Sequence, residues 1–237
     1  MKISFKTYFN DRQKQVYFHG VTTHPLYVQV TYERRTIFFK SYYFELLSKE
    51  RYLLTIPGTS IRKGPDLLDV IKKETEVIKF ITDRRPDDFS LEFFKKEYAR
   101  YSKDLCDAME SGFINYLHTF FWDEGMPALG DIMLHGSKNV VAFDAVRDMK
   151  SSFNKALYDK MIENSFYSAP PYLPVYGFMK ETKQWPMLIL TVMEWVRPET
   201  KVAFLEYAAK HYPQIDAGNL IIQIDQYSSK RNFNNYK

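Results

Sequence analysis

The sequence predicts an α+β fold, with a small N-terminal antiparallel β-sheet, a mainly helical body and a short mixed C-terminal section. Three observations lead to this. Apolar residues alternate with a period of two between Ile3 and Leu54, and they recur at three- and four-residue spacing after residue 65. The residues up to Lys63 hold eleven Lys or Arg and four Asp or Glu, a formal charge of +7, whereas the rest of the chain carries −3. A basic sheet attached to an acidic body is therefore expected.

The first strands are short. Ile3, Phe5 and Thr7 alternate with polar residues, and Gln15–Phe18 is a second candidate. The clearest element is a β-hairpin, because two segments rich in β-branched and aromatic residues flank the polar link Glu33-Arg34-Arg35. Its arms are Leu26–Tyr32 and Thr36–Tyr42. Alternation puts one set of side chains on one face, Leu26, Val28 and Val30, and the other set on the opposite face, Tyr27, Gln29 and Thr31.

A turn cluster follows the sheet. The segment Thr55–Pro65 contains two Pro and two Gly, which is typical of a boundary between structural units. It divides the chain into a basic antiparallel β domain, residues 1–64, and a helical body, residues 65–237, with a possible joint near residues 166–176.

The helical body begins with a pattern that runs from Leu67 to Ile81. Asp88 or Ser90 can cap a second helix that reaches roughly to Trp122, and Ser137 can cap a third that ends near Ile162. Three prolines in Ala169–Pro174 predict an extended loop. Two short helices are expected after it, one following Pro186 and one with Pro198 in its first turn, and Leu220–Ile224 is predicted to be a final strand.

Composition limits the class of protein. A chain of 237 residues can bury a sizeable core, and its single cysteine, Cys106, has no partner for an intramolecular disulfide, which indicates a reducing compartment. Charged residues or proline interrupt the apolar runs, so neither a signal peptide nor a membrane span is expected. We therefore expect a cytoplasmic protein with no membrane partner. Aromatic residues reach 17% and fill either a core or an interface.

Motifs for catalysis or cofactor binding are not found in the sequence. There is no glycine-rich phosphate loop, no HxxxH or CxxC metal spacing and no GxSxG elbow. The adjacent carboxylates Asp87-Asp88 and Asp123-Glu124 fall at predicted helix ends, where acidic residues cap helices or face water. The sequence therefore predicts no enzyme, no catalytic residues, no metal site and no cofactor.

The basic hairpin is the strongest candidate site. Arg34 and Arg35 lie at its tip, Lys40 ends its second arm, and Arg12 and Lys14 are nearby in sequence. A two-stranded ribbon fits the major groove of double-stranded DNA, where Arg reads guanine and Lys holds phosphates. These five residues are the predicted nucleic-acid-binding residues. The alternative is that they form only a solvated, charged turn.

The segment Pro25–Lys40, an apolar strand, a basic turn and a second strand that ends in lysine, resembles the N-terminal arm-type DNA-binding region of the tyrosine recombinases of phages and conjugative transposons. In that family a three-stranded sheet enters the major groove and a helical domain follows, often opening much as Asp88–Phe94 does here. The resemblance implies that Arg34, Arg35 and Lys40 contact DNA.

The catalytic half of those recombinases has no counterpart in this sequence. Their His-x-x-Arg pair is missing, because none of the five histidines is followed by arginine at the third place. A non-catalytic DNA-binding accessory protein of a phage or mobile element is therefore the expected function. The competing hypothesis is a structural protein of a virion or another multi-subunit assembly, a homo-oligomer or a hetero-complex. Its aromatic residues would then make protein–protein contacts, and the basic hairpin would meet an acidic protein surface.

Overall fold

The computed structural model describes residues 3–55 and 62–229. It confirms the α+β class, since a small N-terminal antiparallel sheet precedes a mainly helical body. The chain forms two compact units. The first holds the residues up to Lys103 together with Trp185–Met187, and the second holds Asp104–Gln184 and the residues from Leu188 onward.

The first unit contains a three-stranded antiparallel sheet in the order β1-β4-β5, formed by Ser4–Phe9, Leu26–Tyr32 and Arg35–Lys40. The chain between β1 and β4 forms a separate two-stranded antiparallel sheet, which consists of β2, Val16–Phe18, and β3, Val21–Thr23. A second small sheet pairs β6, Leu54–Thr55, with β7, Arg62–Lys63. The predicted turn cluster Thr55–Pro65 lies partly outside the described residues, because 56–61 are not among them.

The predicted hairpin is confirmed, but its link is shorter than expected. Tyr32 pairs with Arg35, so the turn has two residues, and the second strand begins at Arg35 rather than Thr36. Glu33 and Arg34 both have positive φ, 50° and 63°. Two successive left-handed residues are the geometry of a type I′ turn, whose twist matches that of the flanking strands.

Four helical segments complete the first unit: α1, Tyr42–Leu47, a short 3-10 helix, Glu50–Tyr52, α2, Leu67–Asp83, and α3, Leu91–Tyr101. The predicted helix after residue 65 is confirmed, and so is Ser90 as the cap of α3. The aromatic ring of Phe39 in β5 packs on Tyr98 of α3, with ring centres 4.6 Å apart. The sheet therefore buries one face against helices.

The second unit is all-helical in the part of it that the structure describes. Its helices are α4, Leu105–Asp123; α5, Pro127–Gly136; α6, Ala142–Ser152; α7, Lys155–Ser168; α8, Tyr172–Thr182; α9, Val192–Trp195; α10, Pro198–His211; and α11, Ala217–Ser229. Helix α4 is central to this unit, because it packs against α5, α6, α7, α8 and α11. Cys106 lies in α4 as a buried packing residue, its sulfur 3.8 Å from that of Met179.

Two of the predicted helices are broken in the structure. The helix expected from Ser90 to Trp122 ends at Tyr101 and restarts at Leu105, because the buried Asp104 carboxylate accepts the Asp107 N–H as the cap of a new helix. The helix predicted from Ser137 to Ile162 is also wrong.

In that region α5 ends at Gly136, α6 begins at Ala142 and α7 begins at Lys155. Asn154 caps α7 by accepting the Leu157 N–H at 2.9 Å, so a polar residue inside the expected helix starts a new one instead.

The C-terminal section also differs from the prediction. Helix α8 begins inside the predicted proline loop, since Pro174 is in its first turn, where backbone N–H groups have no intrahelical partner. Leu220–Ile224 is helix rather than strand. Leu220, Ile224 and Ser228 are buried at a spacing of four residues, which is the period of one helix face. Up to Ser229, where the described residues end, the C-terminal section is therefore helical rather than mixed, and α9 and α10 agree with the two predicted short helices.

The two compact units divide the chain differently from the predicted domains. The division falls after Lys103 rather than after residue 64, because α2 and α3 pack with the sheet and α1. The joint expected near residues 166–176 lies inside the second unit.

Candidate nucleic-acid interface

The three-stranded sheet has one face that helices do not bury, here called the open face. On β4, Leu26, Val28 and Val30 are at most 1% exposed, whereas the residues between them remain partly exposed. The strand register aligns residues of β1 and β5 with those partly exposed positions. The open face consists of Ser4, Lys6, Tyr8, Tyr27, Gln29, Thr31, Thr36, Phe38 and Lys40.

Cations and aromatic rings lie next to each other on this face. The Lys6 ammonium lies 5.5 Å from the ring centre of Tyr8, whose ring is 6.2 Å from that of Tyr27. The side chain of Phe38 is 56% exposed, which is unusual for a large apolar residue in a sheet. Lys40 approaches Glu45 at 3.5 Å, but both side chains are more than half exposed, so this ion pair is weak and easily exchanged. Both lysines can therefore turn toward an anionic ligand.

The five predicted DNA-binding residues are all exposed, but they do not form one cluster. Arg34 lies in the turn, and Arg35 opens β5. Five positions separate Arg35 from Lys40, and an odd separation places two strand residues on opposite faces. Arg35 therefore shares the side of Ile37 and Phe39, away from Lys40.

Arg12 and Lys14 occupy the loop between β1 and β2, after Phe9, which pairs with Leu26 at the end of the sheet where Lys40 also lies. Arg34 and Arg35 lie at the other end. The five steps of β5 correspond to about 17 Å at the usual rise per residue. The predicted cations thus mark the two ends of the sheet.

A further arginine lies near the tip, on a different element. Arg85 follows α2 and is close enough to the Tyr32 hydroxyl to lower its pKa, against the larger opposite effects of burial and of Glu33. Tyr32 also packs edge-on against Phe89, with ring centres 4.9 Å apart. Arg85 therefore places one further cation near the tip, while the segment between α2 and α3 as a whole has no net charge, because Asp87 and Asp88 offset Arg84 and Arg85.

No described helix supplies a carboxylate that pairs with the arginines at the tip. In residues 3–55 and 62–229 no carboxylate forms an ion pair with Arg34 or Arg35, nor with Arg12 or Lys14. Their charge therefore faces solvent.

The predicted DNA-binding residues do not include Lys6, Tyr8, Gln29 and Phe38, which lie on the open face together with Lys40. The hairpin alone could not reveal Lys6 and Tyr8, because β1 joins β4 through a pairing between distant segments. The alternation of Lys2, Ser4 and Lys6 with Ile3, Phe5 and Thr7 was the available signal for Lys6. Gln29 was already predicted to point away from the buried side of β4.

A buried carboxylate fixes the other side of the sheet. Glu74 of α2 is fully buried and accepts hydrogen bonds from the Ser41 hydroxyl at 2.5 Å, the Tyr98 hydroxyl at 2.7 Å and the Tyr43 N–H at 3.3 Å. Burial raises the pKa of Glu74 to about 7, although these hydrogen bonds oppose the shift. Since Ser41 follows β5 directly, Glu74 ties the Lys40 end of the sheet to α1, α2 and α3.

The second unit uses buried carboxylates in a similar way. Asp104 accepts the Leu190 N–H at 2.9 Å while capping α4, and burial raises its pKa to about 7. Glu110 of α4 accepts the Ala142 N–H at 2.9 Å and the Tyr172 hydroxyl at 3.0 Å, at the start of α6. These three buried acids, Glu74, Asp104 and Glu110, hold helix starts in place.

The adjacent carboxylates considered from the sequence lie at or after helix ends, as expected. Asp87 and Asp88 are exposed after α2, and Glu124 pairs with Lys160 at 2.5 Å at the end of α4. Within the part of the chain that the structure describes, no group of three or more His, Cys, Asp or Glu side chains is placed to hold a metal ion. Over the same residues, no helix has the length and apolarity to cross a bilayer.

Comparisons with protein-family models, with curated proteins and with solved structures gave no match for this chain.

Proposed function

We propose that this chain is a non-catalytic DNA-binding protein that contacts double-stranded DNA through the open face and the Glu33–Arg34 turn. As the resemblance of the hairpin implies, it would act as an accessory protein of a phage or mobile element. The observation that carries the proposal is the open face itself, an uncovered sheet surface with two lysines, a free amide and exposed aromatic rings, with arginines or lysines at both ends.

The dimensions of the sheet suit the major groove of B-form DNA. Three strands at about 4.8 Å spacing are about 10 Å across, and the major groove is about 12 Å wide. The basic ends of the sheet are about 17 Å apart along a strand, so Arg34 at one end and Arg12 with Lys14 at the other extend beyond the groove floor. Contacts at the ends would hold phosphates while side chains of the open face meet base edges.

The distribution of charge favours the same surface. The residues up to Lys103 hold 20 Lys or Arg and 13 Asp or Glu, while the residues from Asp104 onward hold 13 and 16. A polyanion would be attracted to the first unit and weakly repelled by the second.

The test is a salt titration of duplex DNA binding by fluorescence anisotropy. Wild-type affinity should fall steeply between about 50 and 200 mM salt, because each neutralised phosphate releases counterions. The double variant Arg34→Ala/Arg35→Ala should weaken binding several-fold and reduce the slope of log affinity against log salt by about 0.9, the contribution of one phosphate contact from Arg34, since Arg35 faces the other side of the sheet.

The matched control removes two charges from the second unit. Lys138 and Lys150 are exposed, and neither forms an ion pair with a residue that the structure describes. The double variant Lys138→Ala/Lys150→Ala should leave both affinity and slope close to wild type. Equal losses in the two double variants, or unchanged binding in Arg34→Ala/Arg35→Ala, would remove the hairpin tip from the proposal.

A structural role in an assembly is the second candidate, and exposed apolar side chains of the second unit favour it. Tyr167 of α7 is 86% exposed, Ile132 of α5 is 64% exposed and Trp122 of α4 is 53% exposed. Such residues are typical of protein–protein contacts. This alternative predicts a defined oligomer in light scattering and no retention on DNA at physiological salt. A monodisperse monomer would contradict it.

A further inference from the structure

One row of side chains crosses the centre of the open face. The register pairs Lys6 of β1 with Gln29 of β4, and Gln29 with Phe38 of β5. Gln29 is the middle residue of the central strand. In a sheet that enters a groove, this row is farthest from both basic ends and nearest to the base edges.

Among the described residues, the side chains of Gln29 and Phe38 have no hydrogen-bond, ion-pair or ring partner, and of the rest of the face only Ser4 at its edge shares this. The Thr31 and Thr36 hydroxyls bond each other at 2.9 Å, Lys6 lies over Tyr8, and Lys40 pairs with Glu45. By contrast, the partly exposed Gln29 amide forms no hydrogen bond with any residue in the described part of the chain, and the Phe38 ring is 56% exposed.

We infer that Gln29 and Phe38 together read an A·T-containing step in the major groove. This inference rests on the proposed DNA-binding function and adds a sequence preference to it. The NH2 group of the Gln29 amide can donate to adenine N7 while its carbonyl oxygen accepts from the adenine N6 amino group. The apolar ring of Phe38 matches the C5-methyl group of thymine, the one apolar feature of the major groove.

The spacing of the two side chains suits neighbouring bases. Directly opposite residues on adjacent strands have Cβ atoms about 5 Å apart, and base pairs stack about 3.4 Å apart. Gln29 and Phe38 therefore reach the same base pair or two successive ones. A preference for A·T follows, since a G·C pair lacks both the adenine donor and the methyl group.

The test uses modified duplexes as probes. Wild-type protein is titrated with a short alternating A·T duplex, the same duplex with uracil in place of thymine, the same duplex with 7-deazaadenine in place of adenine, and an alternating G·C duplex. Wild type should bind the A·T duplex about tenfold more tightly than the G·C duplex. Loss of the thymine methyl group and loss of adenine N7 should each weaken binding several-fold.

The variants assign each effect to one side chain. Phe38→Ala should no longer distinguish thymine from uracil but should still respond to 7-deazaadenine, and Gln29→Ala should show the reverse. Tyr17→Ala is the matched control, because Tyr17 is 69% exposed but lies in β2, outside the three-stranded sheet. It should keep both preferences. Unchanged urea midpoints would show that all three variants are folded.

The outcomes separate this inference from the proposed function. Salt-dependent binding with equal affinity for all four duplexes would overturn the A·T preference and leave DNA binding in place. Base discrimination that persists unchanged in both Gln29→Ala and Phe38→Ala would likewise overturn the assignment. No retention of any duplex by the wild-type protein would overturn the inference together with the proposed function.

Discussion

The two faces of the three-stranded sheet are built from alternate residues of the same strands, yet they have opposite chemistry. On β4, Val28 is fully buried, while its neighbour Gln29 keeps a solvent-accessible amide. The buried face packs against aromatic residues such as Tyr98, and the other face holds two lysines that helices leave uncovered. The buried face therefore stabilises the first unit, and the open face remains available to a ligand.

Basic residues that are close in sequence need not lie on the same face of the sheet, because successive residues of a strand point to opposite faces. Arg35 and Lys40 belong to the same short strand, but the odd separation places them on opposite faces. Lys6 is far from both in sequence and still shares the face of Lys40. A surface defined by register thus differs from one defined by a run of basic residues.

The largest expected difference between the faces is in stability. Leu26→Ala should lower the free energy of unfolding by about 2 to 5 kcal/mol, because Leu26 is 1% exposed and its loss leaves a cavity. Gln29→Ala, three positions along the same strand, should change it by less than about 0.5 kcal/mol. Urea unfolding followed by circular dichroism measures both. Similar losses in the two variants would show that the open face is also part of a packed core.

A smaller effect on the free energy of unfolding is expected from pH, through one buried acid in each unit, Glu74 and Asp104. The folded-state pKa values of Glu74 and Asp104 are raised to about 7, from 4.5 and 3.8. In their protonated form, these two side chains contribute fully to the free energy of unfolding below about pH 4. This contribution is lost as pH rises toward 7, because the same carboxyl groups ionise at lower pH in the unfolded chain than in the folded protein. For Glu74 alone the loss should approach about 3 kcal/mol.

The variants Glu74→Gln and Asp104→Asn isolate this dependence, since neither side chain titrates. Each should flatten part of the fall in stability between pH 4 and 7, measured by urea unfolding at a series of pH values. Wild-type stability that stays constant or rises over this range would mean that the hydrogen bonds to the carboxylates outweigh their burial.

The smallest expected effect on stability comes from the lysines of the open face. Lys6→Ala with Lys40→Ala should leave the free energy of unfolding within about 0.5 kcal/mol of wild type, because the Lys40–Glu45 pair is exposed. The same double variant should reduce the salt slope of DNA binding by up to about 1.8. A destabilised variant would indicate that these charges serve the fold rather than a ligand.

Local sequence patterns predicted the parts of the fold that depend on near neighbours. The hairpin arms, the buried and exposed sides of β4, helix α2 and the Ser90 cap all follow from alternation, spacing or capping within a few residues. The breaks at Asp104 and Asn154 were missed, because a polar side chain inside an apolar pattern becomes a helix cap only when the fold supplies its environment.

Only part of the candidate site could be predicted from the sequence, because local patterns do not reveal which distant strands pair. Arg34 and Lys40 could be found from the hairpin, but their relation to Lys6 depends on the long-range pairing of β1 with β4. The pattern of Leu220–Ile224 predicts a strand, but the segment forms a helix, because a short β-branched run does not itself distinguish a strand from a buried helix face. Tertiary packing decides such cases.

Lysine acetylation with and without duplex DNA, quantified by mass spectrometry, tests most directly whether the open face meets DNA. Bound DNA should slow acetylation of Lys6, Lys14 and Lys40 several-fold and leave acetylation of three exposed lysines of the second unit unchanged, Lys138, Lys150 and Lys210. Protection confined to the second unit, or no protection at Lys6 and Lys40 when DNA is bound, would contradict contact between the open face and DNA.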